Sequence, residues 1–289
     1  MNHSNLMSLG ELYKELRIAR GLKLKDVARD NLSVSQLSKF ENGLSMLAAD
    51  KLLLAISGIH MSFAEFGYAA NGYKTNHFLK LGSKVAELQT VADRDGLREL
   101  LRDYEGEEVY TLYNRLNELI IKSAIYSLDH NLEVQESEKK LLTEYLYDVE
   151  EWTEYELYLF GNCLSILSNE DLIFLSKTFV ERYKVYRTLS HHRKASHVTF
   201  LNIIMTLLER RELYYVQFFI EKLEKTLIYQ DMFAIVSLKF FKKIYTYLEE
   251  RSSDRSDIES FIEMVEQLDN PQFAQILRRT VIEILDVPK

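Results

Sequence analysis

The stretch Ser33–Gly43, SVSQLSKFENG, decides how the N-terminal part of this chain folds. Ser33 is placed to act as an N-cap, its hydroxyl accepting a backbone N–H one turn in. Gln36 stands three residues later, where its side chain closes a capping box. Val34, Leu37 and Phe40 recur at helical spacing and predict an inward face. Gly43, just after Asn42, supplies the left-handed residue that ends a helix. Ser35, Gln36 and Lys39 are left to point outward. Hydroxyl, amide and ammonium groups of this size suit base edges and phosphates. A capped surface helix with no partner would carry the same pattern, so the neighbouring residues decide between the two.

Upstream, Leu9, Leu12 and Leu16 predict a helix that Gly21 ends. A second, short helix is predicted over 24–29, with Val27 and Ala28 facing inward. Ala28 is small where two helices cross steeply. Asn31 and Leu32 make the turn into Ser33, and the whole is a helix-turn-helix pattern. A fourth helix, over 48–57, carries Leu52, Leu53 and Ile56 and ends near Gly58. A fifth, over 62–71, starts at Ser62 with Glu65 in the capping-box position and stops at Gly72.

The run ELRIARGLKLKDVA…LSVSQLSKFENG…LLLAISGIHMSFAEF, within residues 9–67, resembles the five-helix domain of the phage-repressor, or XRE, class. Arg17, Gly21, Ala28, Ser33, Leu37, Glu41, Gly43, Leu54 and Ile59 stand at motif positions. The resemblance implies that Arg17 pairs with Glu41 and locks the recognition helix to its scaffold, a structural role for both. It implies DNA contacts from Lys23, Lys25, Ser33, Val34, Ser35, Gln36 and Lys39. One position departs from the class. Leu24 stands where a phosphate-binding Gln is usual, so the flanking Lys23 and Lys25 are expected to take that contact.

Beyond residue 72 the chain reads as helix throughout. Only two of 289 residues are proline, at 271 and 288, which favours an all-α fold. Residues 73–92 are expected to form a connecting helix, with Gly82 its weak point. Ten amphipathic helices are predicted in 93–289, over 93–104, 107–127, 136–150, 153–168, 170–188, 191–210, 212–228, 231–250, 255–268 and 270–285. Their pairing into hairpins every 35 to 40 residues or so gives the period of tetratricopeptide-type repeats. An irregular bundle is the alternative, because no clean repeat consensus is present.

The stretch LTEYLYDVEEWTEYELYLFGNCLSIL (142–167), following an XRE-type domain, resembles the Rgg/GadR/MutR regulators of Gram-positive bacteria. The resemblance implies three domains or segments: 1–72 for DNA binding, 73–92 connecting, and 93–289 as a right-handed TPR-like helical domain. It implies that 93–289 dimerises and holds a short peptide pheromone on its concave face.

Charge and composition set limits. Residues 1–70 hold eight Lys/Arg against seven Asp/Glu, and the rest of the chain carries the excess that brings the total to −8. A polyanion is therefore expected to dock on the N-terminal part. No apolar run reaches the roughly 18 residues of a membrane span, and no signal-peptide pattern opens the chain. Cys163 is alone, so no intrachain disulfide forms; a cytoplasmic location is expected. Glycine-rich phosphate loops and zinc spacings are absent, and neither an enzyme nor a cofactor is expected. His191, His192 and His197 are poorly spaced for one metal and read as a solvated helix start. Cys163, in an apolar helix, reads as an inert buried thiol.

Two mid-helix amides stand out. Asn162 and Asn202 lie among apolar residues, where an amide is costly without partners. They are the candidate ligands for a peptide backbone, with Arg187 as a candidate for an acidic peptide group and Phe160 and Phe200 as candidate pocket walls. The alternative is that the amides tie helices to each other. The expected function is a dimeric, peptide-controlled transcriptional regulator that binds duplex operator DNA. The competing expectation is a helical interaction scaffold with a vestigial helix-turn-helix.

Overall fold

A computed structural model describes residues 3–29, 31–74, 77–105, 112–186 and 188–286. They form helices and turns with no strand; two compact units, 1–80 and 81–289, each have their own core.

The smaller unit holds α1 (His3–Ala19), α2 (Leu24–Val27), α3 (Val34–Glu41), α4 (Ala49–Gly58) and α5 (Phe63–Ala70). Its core is Val27, Leu32, Leu37, Phe40, Ala55, Ile56, Ile59 and Phe66 packed around Tyr13. Tyr13 is fully buried, and its hydroxyl donates to the Ala55 carbonyl at 3.0 Å. Leu9, Leu12 and Leu16 flank it, half-buried. Gly10 lets α1 lie directly on α3: a Cβ there would stand 1.9 Å from the Phe40 carbonyl oxygen. Gly58 plays the same part for α4 against α2, facing Val27 Cγ1 at 2.7 Å from where its Cβ would be.

Several expectations change in detail. The second helix ends at Val27, and Ala28 has an extended backbone just past it, half-buried. Leu53 is exposed; Ala55 and Ile56 take the buried face of α4. The left-handed residue after α4 is His60 (φ 56°), so Gly58 is kept for packing and not for stopping the helix.

The larger unit contains α6 (His77–Thr90) from residue 81 on, α7 (Arg94–Glu105), α8 (Leu112–Leu128), α9 (Glu136–Asp148), α10 (Glu154–Asn162), α11 (Asn169–Arg182), α12 (Ser190–Glu209), α13 (Leu213–Glu224), α14 (Met232–Glu249), α15 (Ser256–Gln267) and α16 (Pro271–Val281). A 3₁₀ turn, Leu164–Ile166, follows α10, and a π turn, Ile282–Asp286, follows α16. Helices two apart in sequence pack side by side: α8 on α10, α10 on α12, α12 on α14, and separately α9 on α11. This is the TPR-like arrangement, two rows of helices with a continuous core between them. Central in it are the rings of Trp152, Phe160, Phe179, Tyr183 and Phe200, each 4.6–6.4 Å from a neighbour.

Part of the segment expected to connect the domains belongs to this core. Leu81, Val85 and Leu88 of α6 are buried in it. Gly82 is a packing site and not a weak point, since the Tyr158 ring covers the place of its missing Cβ. At the far end Arg279 of α16 donates to the carbonyls of Gln89 (3.3 Å) and Thr90 (2.7 Å), so the last helix is tied to the end of α6. Among the described residues, no single helix is long and apolar enough to cross a membrane.

Candidate functional site

In the smaller unit the sequence builds one short helix and holds it from three sides. At its start Gln36 N–H donates to Ser33 Oγ (3.2 Å), and Ser33 N–H donates to Gln36 Oε1 (3.1 Å). At its end Gly43 (φ 68°) allows Gly43 N–H to reach the Phe40 carbonyl and Leu44 N–H to reach that of Lys39, a Schellman closure. From below, Arg17 Nε and Nη2 donate to the two Glu41 oxygens at 2.6 and 2.7 Å. Both side chains are almost fully covered. Arg17 Nη1 also reaches the Leu22 carbonyl, fixing the entry to α2. The carboxylate bond holds the guanidinium charged, above its usual pKa, against a smaller opposing effect of burial.

What this scaffold presents is the outer face of α3. Ser33, Val34, Ser35 and Lys39 are exposed and Gln36 is half-buried. Val34 was expected inward; it is 44% exposed, because Leu37, Phe40 and Glu41 take the buried stripe. Gln36 spends its amide oxygen on the N-cap, leaving Nε2 for an outside acceptor. Lys23, just before α2, and Lys25 within it are exposed, and α2 packs against α3. The turn between the two helices is closed by reciprocal bonds between Arg29 and Leu32, and Leu32 is fully buried under it.

In the larger unit the two asparagines come together. Asn202 Nδ2 donates to the Gly161 carbonyl at 3.0 Å, next to Asn162. Asn162 Nδ2 donates to the Tyr158 carbonyl one turn back in α10. Both amides are half-buried, and the NH₂ end of each is used inside the protein. Their oxygens have no partner among the described residues and remain as acceptors. Phe160 and Phe200 do not wall a pocket there: at 0 and 1% exposure they belong to the aromatic core on the other side of the same helices. Arg187 lies outside the described residues. Arg182 donates to the carbonyls of Leu146, Tyr147 and Val149 and so caps the end of α9.

Of the histidine cluster, His191 is exposed at the start of α12 as expected, but the other two are not. His192 and His197 are buried. The first bonds the Trp152 carbonyl at 3.1 Å and the second lies beside Asp231 at 3.9 Å. Burial lowers the His197 pKa. Cys163 is fully buried, and burial pushes its thiol far above the usual range.

One recess escapes a reading of the sequence. Helix α10 ends at Asn162, whereas α8 and α12 run on past it on either side. The gap is a cavity of about 770 Å³ whose lining includes Tyr126, His130, Lys139, Lys140, Glu209 and Arg210. Burial, reinforced by Glu283, pushes the Glu209 carboxyl up to about 7. In the sequence, Glu209-Arg210 looks like any solvated helix end; only the early stop of α10 turns it into a wall.

The capped and clamped α3 on a five-helix unit, joined to a TPR-like array, defines a two-domain helix-turn-helix regulator. The family model for the HTH-type transcriptional regulator Rgg, C-terminal domain, matches residues 98–278, and the chain belongs to the Rgg family. It shares its fold with the Streptococcus dysgalactiae SHP pheromone receptor Rgg2 (TM-score 0.77, 22% identity, 96% of this chain and 100% of that one). A candidate transcriptional regulator from Listeria monocytogenes EGD-e matches at TM-score 0.79 and 20% identity, over 96% and 97% of the two chains. PrgX in complex with iCF10 matches at 0.70 and 16%, over 97% and 98%.

Proposed function

We propose that this Rgg-family chain is a sequence-specific DNA-binding transcriptional regulator, controlled by a short peptide held on the α10–α12 side of its helical array. The observation that carries the DNA-binding half is the treatment of α3. Eight residues are capped at both ends and clamped by a buried ion pair, yet Val34, Ser35 and Lys39 touch solvent. Such restraint orients a face for a partner. Ser35, Gln36 and Lys39 would meet base edges and phosphates, and Lys23 and Lys25 the adjoining backbone. The peptide half is supported by the juxtaposed Asn162 and Asn202, whose free oxygens can accept from a peptide backbone. It is supported also by the likeness in fold to a pheromone receptor and to a protein solved with a bound ligand, iCF10.

The protein acts in the cytoplasm as a two-fold dimer, presenting two α3 helices to half-sites one DNA turn, or a multiple, apart. Tyr229, Met232, Phe233, Leu268 and Ile276, all exposed and on or beside the last helices, supply apolar surface for the dimer. A gel shift on the neighbouring promoter DNA across a salt series tests the reading. Specific, salt-sensitive binding is expected. Lys39→Ala should weaken it and flatten the salt slope by about one unit at unchanged melting temperature. No shift at low salt on any neighbouring promoter would return the chain to the scaffold reading.

A further inference from the structure

The open side of α12 ends in a carboxylate, Glu209, that has no hydrogen-bond or ion-pair partner among the described residues. Val198, Asn202, Met205 and Glu209 follow one another three or four residues apart and so share one face. Val198 is exposed; the other three are half-buried. Asn202 and Glu209 stand two turns apart, about 10 Å along the axis, the length of some three extended residues.

Arg210 attracts Glu209 through space, but the hydrogen bonds of the cations around it go elsewhere. Arg210 donates to Asn169 Oδ1 (2.8 Å) and to the Leu164 and Ser165 carbonyls (3.1 Å each). Arg211 donates to the Leu208 and Ile284 carbonyls. Arg279 is 3.4 Å from Glu283 and holds the end of α6. Across the recess Lys139 pairs with Glu136 at 2.6 Å and Lys140 with Glu144 at 3.5 Å. Glu283 adds a second negative charge behind Glu209. Among the described residues Glu209 accepts no hydrogen bond and forms no ion pair. A half-buried carboxylate left this way is costly unless something outside the chain donates to it.

Building on the peptide reading above, we propose that Glu209 sets the charge preference of the site. The peptide that lies along α12 puts a cationic group, a Lys or Arg side chain or its free N-terminal amine, against Glu209. Its backbone meets Asn202, and its apolar side chains meet Val198 and Met205. The raised carboxyl pKa agrees with this, since a docked cation is what would restore the ionised form.

The test uses full-length wild type, Glu209→Gln and Glu209→Lys immobilised side by side. The probes are four pools of short synthetic peptides with apolar positions randomised. Each pool carries a fixed Lys or a fixed Glu, and a free or acetylated N-terminus. On wild type the acetylated Glu pool should be retained least, by about tenfold. Whichever of the amine and the Lys restores retention identifies the cation. Glu209→Gln, with the wild-type melting profile at low pH, should level the pools, and Glu209→Lys should invert their order. Equal retention of all four pools by wild type, or an order unchanged in both variants, overturns the charge preference and leaves the peptide reading standing. Failure of all three proteins to retain any pool overturns both.

Discussion

Removing the Arg17 guanidinium leaves the Glu41 carboxylate in the core of the smaller unit with no counter-charge. Arg17→Ala should therefore lower stability by about 3 kcal/mol, as expected when one partner of a buried pair is lost. Urea denaturation of the two proteins measures it, and an unchanged midpoint would take the pair out of the account. Glu209 makes the opposite kind of contribution. Its carboxyl is raised from the ordinary 4.5 to about 7, so the fold favours the protonated form. The stability that this gives is complete below about 4.5 and is lost as pH rises through about 7. Glu209→Gln should match wild type near pH 4.5 and melt higher than wild type near pH 8; a pH-independent difference would show that the carboxyl is not raised. The two residues also differ in how far the sequence shows them. Ser33, Gln36 and Gly43 bond to residues within six positions, so spacing alone reveals their roles. Arg17 and Glu41 are 24 positions apart and became visible only through resemblance to a known class.

At the scale of elements, the contact of α1 with α3 depends on a missing side chain. Gly10→Ala would place a methyl group 1.9 Å from the Phe40 carbonyl oxygen, and backbone cannot swing aside as a long side chain can. The helices must separate, at a cost of about 1 to 3 kcal/mol that outweighs the roughly 1 kcal/mol gain in helix propensity. Thermal melting checks this; a stabilised variant would mean that α1 shifts freely. Each helix predicted in 93–289 has a counterpart, and most starts and stops fall within a few residues of the expectation because caps and periodicity are local signals; α10 and α11 are the exceptions, ending at Asn162 and Arg182 where 168 and 188 were expected. Which side of a helix faces a groove was less legible. Helix α12 is buried around most of its circumference, so its apolar period is nearly flat. That is why Phe160 and Phe200 were expected beside Asn162 and Asn202 when they lie behind them, and why His192 and His197 were expected in solvent. The recess beside Glu209 follows from α10 being shorter than its neighbours, a comparison among helices that no single stretch contains.

For the molecule as a whole, the two separate cores imply that the parts fold separately. Residues 73–289 alone should be folded and dimeric, and residues 1–72 alone monomeric with weak DNA binding. A dimer needs on the order of 1,000 Å² of buried surface, and the larger unit has the apolar area to supply it. Light scattering of the two fragments decides; a monomeric larger fragment would place dimerisation in the smaller unit. The end of the helix-turn-helix pattern near residue 72 was readable from Ser62, Glu65 and Gly72, whereas the two compact units divide at residues 80 and 81, inside α6. That α6 packs into the following array was not readable, since Leu81, Val85 and Leu88 find their partners among residues far along the chain.

The bond from Arg279 to the last carbonyls of α6 spans 189 residues and gives the array an unusual property. A stack of repeats in which each touches only its neighbours can lose its outermost repeat first and unzip inward, so the ends exchange their amide hydrogens sooner than the middle. Here the first helix and the last hold each other, and neither end is free to begin. The array should then open as one cooperative unit, and amides in α6 should share the slow exchange of those in α16. The helix that follows directly from the smaller unit is thereby kept in register by the far end of the chain.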